Sequence, residues 1–203
     1  MKTSLIVNTA CMDPLVRSNQ NMYRATSYAS RRTILHSGVL SWAHEEFDEV
    51  IVAGTFESGE NYQNIDVEPR YRDRRDALYQ REYGARHSTG DILVFCHDDH
   101  TPARGFAKTL KSRYSRKKDW DLLVPLRRHS LTKEILNNGK DSGYMGGHCL
   151  VMKRWLWAEV PWVLVDTEWW DTSMTRLWQE AGGKLLWVDD LEHLDLEALE
   201  TET

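Results

Sequence analysis

The sequence predicts an α/β fold, with a mainly parallel central sheet flanked by helices. Three observations carry this. Short apolar runs, Leu5–Val7, Val50–Ala53, Ile92–Cys96 and Leu122–Pro125, alternate with longer segments of helical periodicity. Turn residues such as Gly54 and Gly90 separate the two kinds of segment. The run Ile92–Cys96 then breaks abruptly into His97-Asp98-Asp99-His100. That is the pattern of a buried strand with acidic residues at its carboxyl end, where open α/β sheets bind ligands.

Adjacent carboxylates repel each other, and burying them unpaired is costly. A divalent cation relieves that cost, and hard oxygen ligands suit Mn2+ or Mg2+. The alternative for Asp98-Asp99 is a solvated acidic turn.

A length of 203 residues predicts one domain with a substantial core. A hydrophobic fraction of 41% and a charged fraction of 28% fit a soluble globular protein. The net charge of −5 argues against a general nucleic-acid binder and leaves room for a local basic patch. Cys11, Cys96 and Cys149 form no CxxC pair, which predicts reduced thiols and a cytoplasmic protein, with Cys96 in the core. The apolar run in MKTSLIVNTACMD is too short for a signal peptide or a membrane span.

Taken in order, strand Leu5–Val7 ends in Asn8-Thr9-Ala10, and the polar segment Asp13–Ser30 follows. Arg32–His44 carries Ile34, Leu35, Val39 and Trp42 at helical spacing. Strand Val50–Ala53 precedes a polar loop containing Glu57. Asp76–Ser88 is a predicted helix, and the central strand follows Gly90. Gly105–Tyr114 reads as an amphipathic helix running into the basic stretch Arg113–Lys118. After strand Leu122–Pro125, Leu126–Ser142 reads as a flexible polar excursion. Gly143–Met152 is a glycine-rich turn leading into the apolar run Cys149–Met152, followed by a short helix, Arg154–Val160. Asp171–Ala181 sets Met174, Leu177, Trp178 and Ala181 on one helical face and ends at Gly182-Gly183. Leu185–Val188 is the last predicted strand, before an acidic tail that frays. On this arrangement the loops after Val7, Ala53 and Cys96 converge on one ligand, which makes Thr9 and Ala10 binding candidates.

Several stretches, in this order, resemble the family 2-like glycosyltransferases with the GT-A fold. QREYGARHSTGDILVFCHDDH is similar to the family stretch in which an Arg-Asn-x-Gly helix leads through Gly-Asp to a strand and a DxD-type metal motif, with Arg81 and Gly84 matching. GYMGGHCLVMKRWLW resembles the glycine-rich acceptor-side turn, and WDTSMTRLWQEAGG the Glu-Asp helix. His193 stands where many members carry a late histidine. In three places the sequence departs from the pattern. His97 replaces the first aspartate, Trp170 replaces the glutamate of Glu-Asp, and Ala53-Gly54 replaces the acidic residue that contacts the nucleobase. Glu57 is the candidate substitute for that last contact.

The resemblance implies a single GT-A-type Rossmann-like domain over residues 1–203. A nucleotide-sugar half would span 1–100, an acceptor half 101–190 and a tail 191–203. It implies transfer of a sugar from a nucleotide-sugar donor, a UDP-sugar foremost, to an acceptor hydroxyl. Asp99 and His193 would hold Mn2+ or Mg2+, with Asp98 beside them; the alternative for His193 is a surface histidine in the acidic tail. Asp171 is the candidate general base of an inverting displacement, with Asp166 and Glu168 as fallbacks; its bland reading is a helix-start residue. Arg81 is a candidate for the diphosphate or base, or a residue on a solvated helix face. Trp170 is the first candidate for stacking on the ligand, ahead of Trp155, Trp157, Trp162 and Trp169. Gly146 and Gly147 would let substrate approach the backbone closely, or make a tight turn.

A carbohydrate or small molecule is the expected acceptor. The patch Lys108, Lys111, Arg113, Arg116, Lys117 and Lys118 leaves nucleic acid as an alternative. A nucleotidyltransferase would need a glycine-rich phosphate loop where NTACMDPLVRS stands. A metal-dependent hydrolase would recruit His97, Asp98, Asp99 and His100 together with His148 and His193, and a binding protein with a decayed site is the last alternative.

Overall fold

The computed structural model describes residues 1–9, 37–54, 62–65, 75–136, 140–162 and 170–196. Its strands are β1 (Thr3–Asn8), β2 (Glu49–Ala53), β3 (Gln63–Ile65), β4 (Ile92–His97), β5 (His100–Pro102), β6 (Leu122–His129), β7 (Ile135–Leu136), β8 (Cys149–Lys153) and β9 (Leu185–Asp195). They form one sheet in the order β3-β2-β1-β4-β8-β6-β9-β5, with β7 paired to β6. The helices are α1 (residues 37–43), α2 (Arg75–His87), α3 (Phe106–Thr109), α4 (Arg154–Glu159) and α5 (Trp170–Glu180).

The central strands are covered on both faces, which explains their unbroken apolar runs. Alternate residues of β1 and β4 divide between two cores. Leu5, Val7, Ile92, Val94 and Cys96 pack with Val39, Trp42 and Phe106. Ile6, Leu93 and Phe95 pack with Leu78, Leu156, Met174 and Trp178 from α2, α4 and α5. Cys96 and Cys149 are free buried thiols, opposite one another across the β4–β8 pair.

The structure corrects the sequence reading in four places. The sheet is mixed. β1 runs parallel to β2 and β4, but β8 is antiparallel to both β4 and β6. The segment expected to be a flexible excursion continues β6 to His129 and returns through β7 as an antiparallel hairpin. The last strand does not end at Val188: β9 runs to Asp195, gripped by β6 on one side and β5 on the other. Pairing on both edges overrides the polarity of this segment, and its inward positions Leu191, His193 and Asp195 are buried. Finally, the Gly105–Tyr114 helix is a short α turn followed by a π-type turn over Leu110–Tyr114.

Candidate active site

β1 and β4 end side by side, with Asn8 registered against His97. The Asn8 amide bridges Arg81 and His97. Its Oδ1 accepts from Arg81 Nε at 3.0 Å, and its Nδ2 donates to His97 Nδ1 at 3.0 Å. This assigns the His97 proton to Nε2. Burial, with the Arg81 charge nearby, pushes His97 down to about 3, so the ring is neutral near pH 7.

The Asp98-Asp99 turn beyond β4 is clamped from several directions. Asp98 and Asp99 are 1% and 7% exposed, so the solvated-turn alternative does not hold. Gly38 of α1 lies flat against the turn: a Cβ there would stand 1.7 Å from the Asp98 carbonyl oxygen. The Trp42 indole donates to the His100 carbonyl at 2.8 Å, and the Leu196 amide donates to that of Asp99 at 2.9 Å. His100 Nδ1 donates to Asp99 Oδ1 at 2.8 Å.

Next to this turn four imidazoles gather. The His100 ring lies 5.0 Å from that of His193, 5.1 Å from His148 and 6.3 Å from His97. Burial holds His148 and His193 well below the usual histidine range, so both rings are neutral at pH 7. Arg127 completes the cluster. It forks onto Asp195 and donates to His148 Nε2 at 2.8 Å. Both ring nitrogens of His193 are buried without a hydrogen-bond partner among the described residues. That orphaned ring, close enough to Asp99 for its charge to act, fits the donor set that a divalent cation takes. Among the described residues no three side chains already surround one point as metal ligands.

Arg81 is fully buried and anchors the other wall. Its guanidinium lies 5.1 Å from each of the Trp162 and Trp170 rings and donates to the Gly147 carbonyl. Burial lowers it to about 10, so it remains a cation at neutral pH. Gly147 is needed for this packing, because a Cβ there would stand 2.3 Å from Trp170 Cη2. Asp171 opens α5 directly after Trp170, and its charge acts on Arg81. The Thr175 hydroxyl donates to the Asp171 carbonyl at 2.7 Å and accepts from the Met145 amide at 3.2 Å, tying α5 to the Gly146-Gly147 turn.

The fold thus gathers Asp98, Asp99, His193, Arg81, Gly147, Trp170 and Asp171 around the carboxyl ends of β1 and β4. Arg81 is interior, not on a solvated face. Thr9 is buried, its amide donating to the Ala53 carbonyl at 3.1 Å and its hydroxyl without a partner among the described residues. Ala10, Glu57, Asp166, Glu168 and Trp169 lie outside the described residues. Trp155 is 45% exposed and bonded to Asp121, and Trp157 donates to Glu82, so neither joins the ring pair at Arg81. The reading from sequence missed Asn8, Arg127 and Asp195. Asn8 was legible as the polar end of a strand. Arg127 and Asp195 lay in segments read as an excursion and a frayed tail. The basic patch is partly neutralised: Lys111 pairs with Asp48 at 3.0 Å, Arg113 with Asp190 at 2.6 Å, and Lys117 sits over the Tyr114 ring.

No helix of the described residues is long and apolar enough to cross a membrane. No protein-family model matches the chain, and no curated protein matches it. Solved structures do. A mannosyltransferase from Pyrobaculum calidifontis, in complex with GDP-Man and Mn2+, matches 96% of this chain and 56% of its own, at 13% identity and TM-score 0.63. GalNAc-T7 with UDP, GalNAc and Mn2+ matches 96% of this chain and 43% of its own, at 14% identity and TM-score 0.64. Glucosyl-3-phosphoglycerate synthase from Mycobacterium tuberculosis, with Mn2+, UDP and phosphoglyceric acid, matches 93% of this chain and 68% of its own, at 12% identity and TM-score 0.55. The chain spans about half the length of the first two, 56% and 43%. Its fold is that of the GT-A glycosyltransferases.

Proposed function

We propose that the protein transfers a sugar from a nucleoside-diphosphate sugar, a UDP-sugar foremost, to an acceptor hydroxyl, with a divalent cation and inversion at the anomeric carbon. The observation that carries this reading is the buried Asp98-Asp99 turn at the end of the central strand of a GT-A fold, with His193 and Asp171 brought to the same end. Asp99 and His193 would hold Mn2+ or Mg2+, which neutralises charge building on the leaving diphosphate. The similar structures named above carry Mn2+ with GDP-Man or UDP, which supports a nucleotide donor here.

The chain's own groups divide the remaining work. Trp170 and the Gly147 backbone, held together by Arg81, form an aromatic and peptide wall against which a sugar can lie. Asp171 accepts the proton of the acceptor hydroxyl. Thr9 and Arg81 border the donor side. The acceptor is a carbohydrate or small molecule, since the patch that would track a nucleic-acid backbone already spends charge on Asp48 and Asp190.

The test is a thermal-shift and calorimetric screen of UDP- and GDP-sugars with and without Mn2+. A stabilising donor is expected only with metal, and Asp99→Asn should abolish both its binding and transfer while the fold survives. Activity that persists in Asp99→Asn with chelator present rejects the reading.

A further inference from the structure

We propose that His100 is a positioning residue, whose ring holds the Asp99 carboxylate in the orientation that meets the cation. This rests on the metal-dependent reading above and extends it to a residue outside the ligands named there. Nδ1 of His100 and Oδ1 of Asp99 are 2.8 Å apart. A carboxylate only accepts, so Nδ1 carries the proton, and the bond fixes the carboxylate's rotation.

A bond between neighbouring residues orients a group only if the donor is itself held. Here it is. His100 is 1% exposed, and its carbonyl is bound by the Trp42 indole. Strand pairing sets it opposite Asp195, whose Oδ1 stands 4.0 Å from His100 Nε2. Asp195 is in turn gripped by the Arg127 fork, and Arg127 also reaches His148. The rings of His148 and His193 close the remaining sides at 5.1 and 5.0 Å. The imidazole therefore has no room to swing away from Asp99.

Two substitutions separate positioning from packing. In His100→Asn the amide nitrogen sits near the former Nδ1 and can still donate to Asp99. In His100→Gln the amide nitrogen sits near the former Nε2 and cannot. Calorimetry with Mn2+ in the presence of UDP should show His100→Gln weakened by about 10–100-fold, with His100→Asn close to wild type. At saturating Mn2+, kcat of His100→Gln should recover while the concentration for half-maximal activation rises. Wild-type Mn2+ affinity in His100→Gln overturns the positioning role alone. So does a loss in His100→Asn equal to that in His100→Gln. If His100→Gln does not fold, His100→Asn decides: retained Mn2+ affinity supports the role and lost affinity overturns it. A wild-type protein that binds no Mn2+ with UDP overturns this proposal and the glycosyltransferase reading together.

Discussion

Gly38→Ala perturbs the site without touching any of its side chains. The added Cβ would stand 1.7 Å from the Asp98 carbonyl oxygen and 3.2 Å from that of His100. Real contacts of this kind do not fall below 3.0 Å, so helix and turn must separate by more than an ångström. The clash is with backbone, and no rotamer relieves it. Separation also strains the Trp42–His100 hydrogen bond and the packing of the Trp42 ring on Phe106, 5.2 Å away. Overpacking of this kind costs about 1–3 kcal/mol, and the loss of one hydrogen bond adds about 0.5–1.5. Against this, alanine is favoured over glycine in a helix by about 1 kcal/mol. The clash wins, leaving a net loss of about 0.5–3.5 kcal/mol, or roughly 1–14 °C in Tm for a chain of this size. Calorimetric melting of wild type and Gly38→Ala measures it, with Gly105→Ala as a control for backbone strain alone, since nothing lies within 4 Å of that site. The loss should be accompanied by weaker Mn2+ binding, because Asp98 and Asp99 move with the turn. A Tm that is unchanged or raised would refute the close approach of α1 to the Asp98-Asp99 turn.

Arg81→Lys keeps the charge but loses the fork that joins Asn8 to Gly147. It should cost about 1–3 kcal/mol in denaturant unfolding, and a wild-type midpoint would contradict the anchoring role. Asp171→Asn should lower kcat by about 10²–10⁴-fold with donor affinity nearly unchanged, since a base acts in the transition state. A fully active variant, or a product with retained configuration, counts against it. Asp48 and Glu49 predict the acid limb of stability. Burial raises both carboxyls, but hydrogen bonds from Thr3 and Lys111 to Asp48, and from Ser4 and Thr89 to Glu49, outweigh it and hold them below their ordinary 3.8 and 4.5. Their stabilisation is complete above those ordinary values and is lost as pH falls through the lower folded ones. Melting between pH 6 and pH 3 should show this decline, and Asp48→Asn should flatten it.

Elements whose signal is local can be read directly from the chain. Ile92–Cys96 reads as a buried strand because nothing polar interrupts it, and the acidic switch after Cys96 marks the candidate site from the residues alone. Asp171–Ala181 is legible because its apolar residues repeat at the helical period; the helix itself begins one residue earlier, at Trp170. Pairing between distant segments is a different matter, and the folded molecule alone reveals it. Leu126–Ser142 and the acidic tail look like loops because most of their residues are polar. β6 and β9 nevertheless pair over their length, and β5 closes the far edge, so His193 and Asp195 become interior groups. Backbone hydrogen bonds supplied by a neighbouring strand leave no trace in the segment that receives them. The same holds for Arg81. Its periodicity allows either a solvated face or the interior, and the choice is made by Trp162, Trp170 and the Gly147 carbonyl, each distant from it in the chain. A buried cation is tolerated only where such partners converge, and that convergence is a property of the fold.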